Sequence, residues 1–211
     1  MTPFAALEAA EVADIEGVLV TLGLVAVVVG LVASVDPTVR RRIGAVAGGT
    51  GALLAAGVAA LATAGSLWYS EGAGFPPCEL CWYQRIAMYP LVVILGLAAL
   101  RRSATGRITG LVVAGLGLTV SAWHNLIETF PDLDTGSCDA SNPCTIRWVE
   151  GLGFWTIPRL AAGCFVLIIV LTAADHLSDR SRRARNTEDT PWPTEPPAPH
   201  PDPPAPARTA G

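Results

Sequence analysis

The sequence predicts an all-α, polytopic membrane protein: a four-helix transmembrane bundle with one additional N-terminal transmembrane helix. Three observations predict it. Hydrophobic residues make up 51% of the chain and charged residues 15%, against roughly a quarter charged in an ordinary soluble domain. The apolar residues fall in five runs, about 17–35, 43–68, 82–100, 108–127 and 155–174, each near the ~20 residues a helix needs to cross a bilayer core. The arginines gather in alternate connections between those runs.

The first run, 17–35, follows an acidic stretch carrying Glu8, Glu11, Asp14 and Glu16. A secretory signal wants a basic segment there, so the run reads as a retained helix. Residues 1–42 are thus an extracytoplasmic segment plus the additional helix. Residues 43–177 hold the four-helix membrane domain. Residues 178–211 form a disordered cytoplasmic tail, basic over "DRSRRARN" and then proline-rich. The basic part suits anionic lipid head groups.

Orientation follows from the arginines, because cytoplasmic loops carry the positive excess. The chain has no lysine, so arginine alone supplies fixed positive charge. Arg40, Arg41 and Arg42 follow the first run. Arg101, Arg102 and Arg107 lie between the third and fourth, and Arg180, Arg182, Arg183 and Arg185 follow the fifth. Those connections are expected inside, with segments 69–81 and 128–154 outside. The formal charge of −4 is segregated and says little about partners; no nucleic-acid partner is expected. The expected location is the cytoplasmic (inner) membrane, multi-pass, with a cytoplasmic C-terminus. Cys78, Cys81, Cys138 and Cys144 then all lie on the oxidising side, where disulfides persist.

The chemistry concentrates at "FPPCELCWYQRIAMYPL". Pro76 and Pro77 stop any preceding helix, which places Cys78 at a helix start and Cys81 in its first turn. The helix dipole and the Cys-X-X-Cys spacing both favour the thiolate. Arg85 falls one turn beyond Cys81 on the same face. A charge at that depth is either a functional group or an arginine snorkelling to the interface. The second pair lies in "CDASNPC", where Asp139, Ser141, Asn142 and Pro143 favour turns and leave both sulfurs accessible. The loop's second half, "IRWVEGLGFWTIP", mixes tryptophan with charge and suits the interface. His124 and Arg159 lie near outer helix ends at the depth of Arg85, and Arg159 reads as an interfacial anchor. Cys164 reads as an inert buried thiol. Spacing alone leaves three readings for the four loop cysteines: redox exchange, a Cys₄ zinc site or two static disulfides.

"PCELCWYQRIAMYPL" resembles the signature of the disulfide bond formation protein B family (DsbB), its BdbC branch in particular. The resemblance covers residues 60–174 and includes "SLWYSE", "WHN", the second cysteine pair and the proline opening the last helix. It implies a thiol:quinone oxidoreductase that reoxidises a thioredoxin-like, DsbA-type thiol oxidase acting in trans and passes electrons to a membrane quinone, ubiquinone or menaquinone. Cys78 and Cys81 would be the quinone-proximal pair, Cys138 and Cys144 the partner-facing pair. Arg85 and His124 match positions at the quinone. The alternative is a non-catalytic membrane protein whose outer loops are fixed by disulfides or zinc.

Overall fold

The computed structural model describes residues 3–134, 136, 138–139 and 141–188. It consists of helices α1 (Pro3–Ala33), α2 (Pro37–Ala47), α3 (Gly51–Leu67), α4 (Glu79–Leu100), α5 (Ala104–Thr129) and α6 (Ile157–Glu188), with a π-helical turn Trp68–Gly72 and a 3-10 turn Pro131–Leu133. Among the described residues five helices are long and apolar enough to cross a membrane, as the hydropathy predicts. In lipid each backbone amide must be satisfied within its own segment, which is why apolar runs of this length become helices.

Helices α3 to α6 form the bundle. Each packs on its neighbours in a closed ring, α3 on α4, α4 on α5, α5 on α6 and α6 back on α3. Small residues let the backbones approach. Ala55, Ala56 and Ala59 of α3 meet Met88, Leu91 and Leu95 of α4, with Phe165 and Ile168 of α6 completing the core. Gly110 of α5 accommodates the Leu95 side chain, and Gly117 accommodates the ring of Phe165. Helix α1 docks outside the ring, against α6.

The apolar run 43–68 is not one helix. Its first residues complete α2, whose N-cap Asp36 accepts from the Thr38 amide at 2.7 Å and is followed by Pro37 at the first helical position. The chain then breaks at Gly48–Thr50. Gly49 adopts φ +111, a region that L side chains rarely enter, and its amide donates to Asp175 Oδ1 at 2.6 Å. Hydropathy misses the break because the glycines interrupt geometry rather than apolarity.

Two further expectations are corrected at the end of the bundle away from the cysteines. Arg107 is not a loop residue. It lies in α5, 3% exposed, and pairs with Asp175 and Asp179 of α6 at 3.2 and 2.6 Å. The basic stretch "DRSRRARN" is helical, because α6 continues to Glu188. Arg183 pairs with Asp179 one turn back at 3.1 Å, an arrangement that supports a helix. Arginines near a helix C-terminus also suit its dipole. The proline-rich stretch 189–211 lies outside the described residues.

Candidate active site

The first cysteine pair forms as the prolines dictate. Cys78 is the N-cap of α4, with extended backbone, and its sulfur accepts the Cys81 amide at 3.4 Å. The two sulfurs stand 2.8 Å apart as free thiols. Tyr69 and Phe75 stack beneath this entry, and Trp148 stacks on Phe75 from the second loop.

Cys138 and Cys144 form a disulfide with Cα atoms 5.9 Å apart. Amide and hydroxyl hydrogen bonds from Ser141 close the turn and hold the Asp139 carboxyl below its usual range. The expectation that both sulfurs are accessible fails for Cys144, which is 2% exposed. It packs with Cys78, Leu80 and Ile127 in one cluster. Short turns curl the loop inward, so burial of one sulfur follows from the apolar surface beneath it. The two cysteine pairs are therefore neighbours without any swing of the loop.

His124 of α5 joins the two pairs. It is buried, with Nε2 3.0 Å from the Cys144 carbonyl oxygen and 3.9 Å from Cys78 Sγ. A carbonyl only accepts, so Nε2 carries the proton. Nδ1 then accepts from Gln84 Nε2 at 3.3 Å. Gln84 is buried, and sequence reasoning missed it; its place three residues after Cys81, on the face that α4 turns inward, was the available signal.

Arg85 takes a different position. Its Nε donates to Ser66 Oγ at 3.0 Å, its Nη2 to the Ser66 carbonyl at 2.8 Å, and its guanidinium lies 5.3 Å from the Trp82 ring centroid. Ser66 also accepts from Tyr89. Cys81, Gln84 and Arg85 line a cavity of about 1680 Å³ that runs among α1, α3, α4 and α6. His124 does not line it. The histidine lies with Cys78 and Cys144 around a small separate pocket of about 20 Å³. Arg85 lines the cavity directly, whereas His124 faces the sulfurs and meets the cavity through Gln84.

The second loop is docked rather than loose. Glu128, buried one turn after His124, lies 3.1 Å from Arg147 Nε and accepts from Thr156 Oγ1 at 2.9 Å. Asn142 reaches the Pro76 carbonyl of the first loop at 3.4 Å. Arg159 donates to the Phe154 carbonyl at 2.7 Å and covers its ring, an anchor for the loop. Cys164 is half-buried and lines the large cavity.

The hydrogen bond from the Cys81 thiol, with His124 adding to it and burial opposing, holds the Cys78 thiol well below its ordinary value of 9.0. In the reduced protein Cys78 is then a thiolate at neutral pH, whereas an unfolded thiol is protonated. The folded pKa is depressed, so the stabilisation is full above the unfolded value and is lost as pH falls through the folded one. Ultraviolet titration of the reduced protein is expected to show one thiolate at pH 7. A reduced protein with no thiolate until pH 9 would contradict this.

The chain is similar in sequence to proteins named for disulfide formation. The chain is 47% identical over 114 residues to a probable disulfide formation protein of Oceanobacillus iheyensis, covering 53% of this chain and 78% of the relative. It is 43% identical over 114 residues to disulfide bond formation protein C of Bacillus subtilis, covering 54% and 83%. It is 41% identical over 106 residues to probable disulfide formation protein C 2 of Bacillus anthracis, covering 50% and 76%. No solved structure matches the chain. The family model described as disulfide bond formation protein DsbB matches residues 49–175, from the break before α3 to Asp175 and so across both cysteine pairs. On that match the chain belongs to the DsbB family of disulfide bond formation proteins.

Proposed function

We propose that this protein is a thiol:quinone oxidoreductase that reoxidises a thioredoxin-like, DsbA-type thiol oxidase in trans and passes the electrons to a membrane quinone. The observation that carries the reading is the position of Cys81: its partner Cys78 packs against Cys144, while Cys81 itself lines an apolar cavity.

The chain's own steps follow from thiol–disulfide exchange. A thiolate of the partner attacks Cys138, and Cys144 leaves as a thiolate. The partner's second thiol then closes the partner's disulfide and releases Cys138. Cys144 attacks an oxidised Cys78–Cys81 pair at Cys78, Cys81 leaves, and Cys138 reforms the bond to Cys144. The dithiol has moved from the partner to Cys78 and Cys81, and the 138–144 disulfide is restored. His124 Nε2–H orients the Cys144 carbonyl beside Cys78 and stands, as a donor, 3.9 Å from that sulfur.

The cavity suits a quinone. Its walls are apolar, and Cys81, Gln84 and Arg85 supply polar contact among them. Arg85 and Gln84 would hold a ring bearing carbonyl oxygens, and Ser66 fixes Arg85 for that task. A bound quinone accepts two electrons and two protons, the redox capacity that the side chains lack. The fixed guanidinium places positive charge, in a low dielectric, one turn from the Cys81 sulfur.

A partner lacking its second cysteine should accumulate as a mixed disulfide with this protein, and Cys138→Ser should abolish the adduct. An adduct that survives in Cys138→Ser but not in Cys144→Ser would reverse the entry point. No adduct in the wild type would remove the partner reading. The cysteines should face outward and the C-terminus inward, so reporter fusions after Gly136 and Ser178 should report opposite sides. A cytoplasmic report from the Gly136 fusion would overturn that orientation.

One observation favours a second reading. The ligand atoms of Cys78, Cys81 and His124 all lie within 4.8 Å of one another, close enough for one metal ion. Zinc near one per chain in purified protein, with no oxidation of a partner, would make the site structural.

A further inference from the structure

Helix α1 precedes the matched residues 49–175, yet it forms one wall of the large cavity. Leu19, Val20, Gly23, Val27 and Gly30 line it from α1, with Val58 and Leu61 of α3 and Leu167 and Leu171 of α6 among the other walls. The docking is specific along the helix. Asp14 accepts the Leu152 amide at 2.7 Å, and Thr21 Oγ1 accepts from Trp155 Nε1 at 3.1 Å. Tyr69 Oη donates to Glu16 at 2.9 Å. Gly17 makes room for Trp155 and Gly23 for Leu167, while Gly163 of α6 makes room for Val20. At a helical rise, Glu16 and Gly30 are separated by about 21 Å, some two-thirds of a bilayer's hydrocarbon thickness.

We propose that α1 is a tail clamp, closing the cavity over the isoprenoid tail of the quinone and selecting long-tailed quinones over short ones. The inference rests on the quinone reading above and adds to it the α1 wall. The space beside Cys81 and Arg85 is continuous with the space beneath Gly30, so a ring held at the sulfur sends its tail along α1. A tail entering this cavity leaves one apolar medium for another, so preference comes from dispersion contact with fitted walls rather than from the hydrophobic effect. The competing occupant is a phospholipid chain entering from the end lined by Arg40, Arg41 and Arg182.

Gly30 allows a clean test, because a Cβ there meets nothing within 4 Å. A Cβ there finds open space at a residue that lines the cavity. Gly96 of α4 also has no neighbour within 4 Å but does not line the cavity, so Gly96→Trp is the control. The measurement is equilibrium binding of two tritiated benzoquinones to the full-length protein in detergent, one with four isoprene units and one with a single unit. Wild type and Gly96→Trp should bind the long-tailed quinone about tenfold more tightly, a ratio within reach of the lost dispersion contacts. Gly30→Trp should bring the ratio near one and leave short-tail affinity unchanged; Gly30→Leu, the milder variant, should fall between. A ratio that survives both Gly30 variants overturns the clamp and leaves the quinone site standing. Loss of co-purified phospholipid in Gly30→Trp, with the ratio intact, assigns the cavity under α1 to lipid instead. Binding of neither quinone to wild type overturns the quinone reading and the clamp together.

Discussion

Cys81→Ser should lower steady-state oxidation of a thioredoxin-like partner by about a thousandfold or more, since loss of a nucleophile commonly costs that much. That corresponds to at least about 4 kcal/mol of transition-state stabilisation. The reason is positional. Cys78 is buried between α4, His124 and Cys144, whereas Cys81 lines the apolar cavity with Arg85. Removing Cys81 therefore removes the exit while leaving the 138–144 disulfide open to attack. A single-turnover mixture should still form the adduct at Cys138 at near wild-type rate. Serine preserves size and hydrogen bonding, so a collapsed fold would not explain the loss. Equal losses in adduct formation and turnover would show that Cys81 supports the loop rather than the exit.

The second large effect is on stability. Arg107→Met should destabilise the protein by about 3–5 kcal/mol, the usual result of stripping one partner from a buried ion pair. Asp175 is 1% exposed and bonded to Arg107 and to the Gly49 amide. Without the guanidinium its charge is left with one amide donor in an apolar setting. The same carboxyl ties the break before α3 to α6, so the loss should spread to the packing of α3. Replacing both partners, as Arg107→Met with Asp175→Leu, should recover much of the stability, because the charge needing compensation is then gone. Reversible unfolding in detergent checks both variants. A single variant within about 1 kcal/mol of wild type would mean that water reaches the pair.

The overall architecture was legible in the sequence because run length and arginine placement are one-dimensional signals. So was the start of α4, where Pro76 and Pro77 leave Cys78 as the first residue free to cap a helix. What hydropathy does not carry is azimuth, the side of a helix on which a residue points. His124 and Arg85 share a depth but face different spaces, and only the packing of α4 against α5 and α3 separates them. Arg107 looked like a loop charge because its partner Asp175 is 68 residues away. Cys144 looked accessible because turn residues surround it, yet the curl of those turns presses it against Cys78. The docking of α1 was equally hidden, since its contacts with Trp155, Leu167 and Tyr69 join distant segments through small residues.

The most direct measurement is electron stoichiometry without oxygen. Reduced thioredoxin-like protein and a quinone are mixed with catalytic amounts of the purified protein, and quinol and partner disulfide are counted. One quinol per partner disulfide is expected, with none formed by Cys81→Ser. Partner disulfide without quinol, or no oxidation by a protein holding zinc at Cys78, Cys81 and His124, would contradict a relay that ends at Cys81.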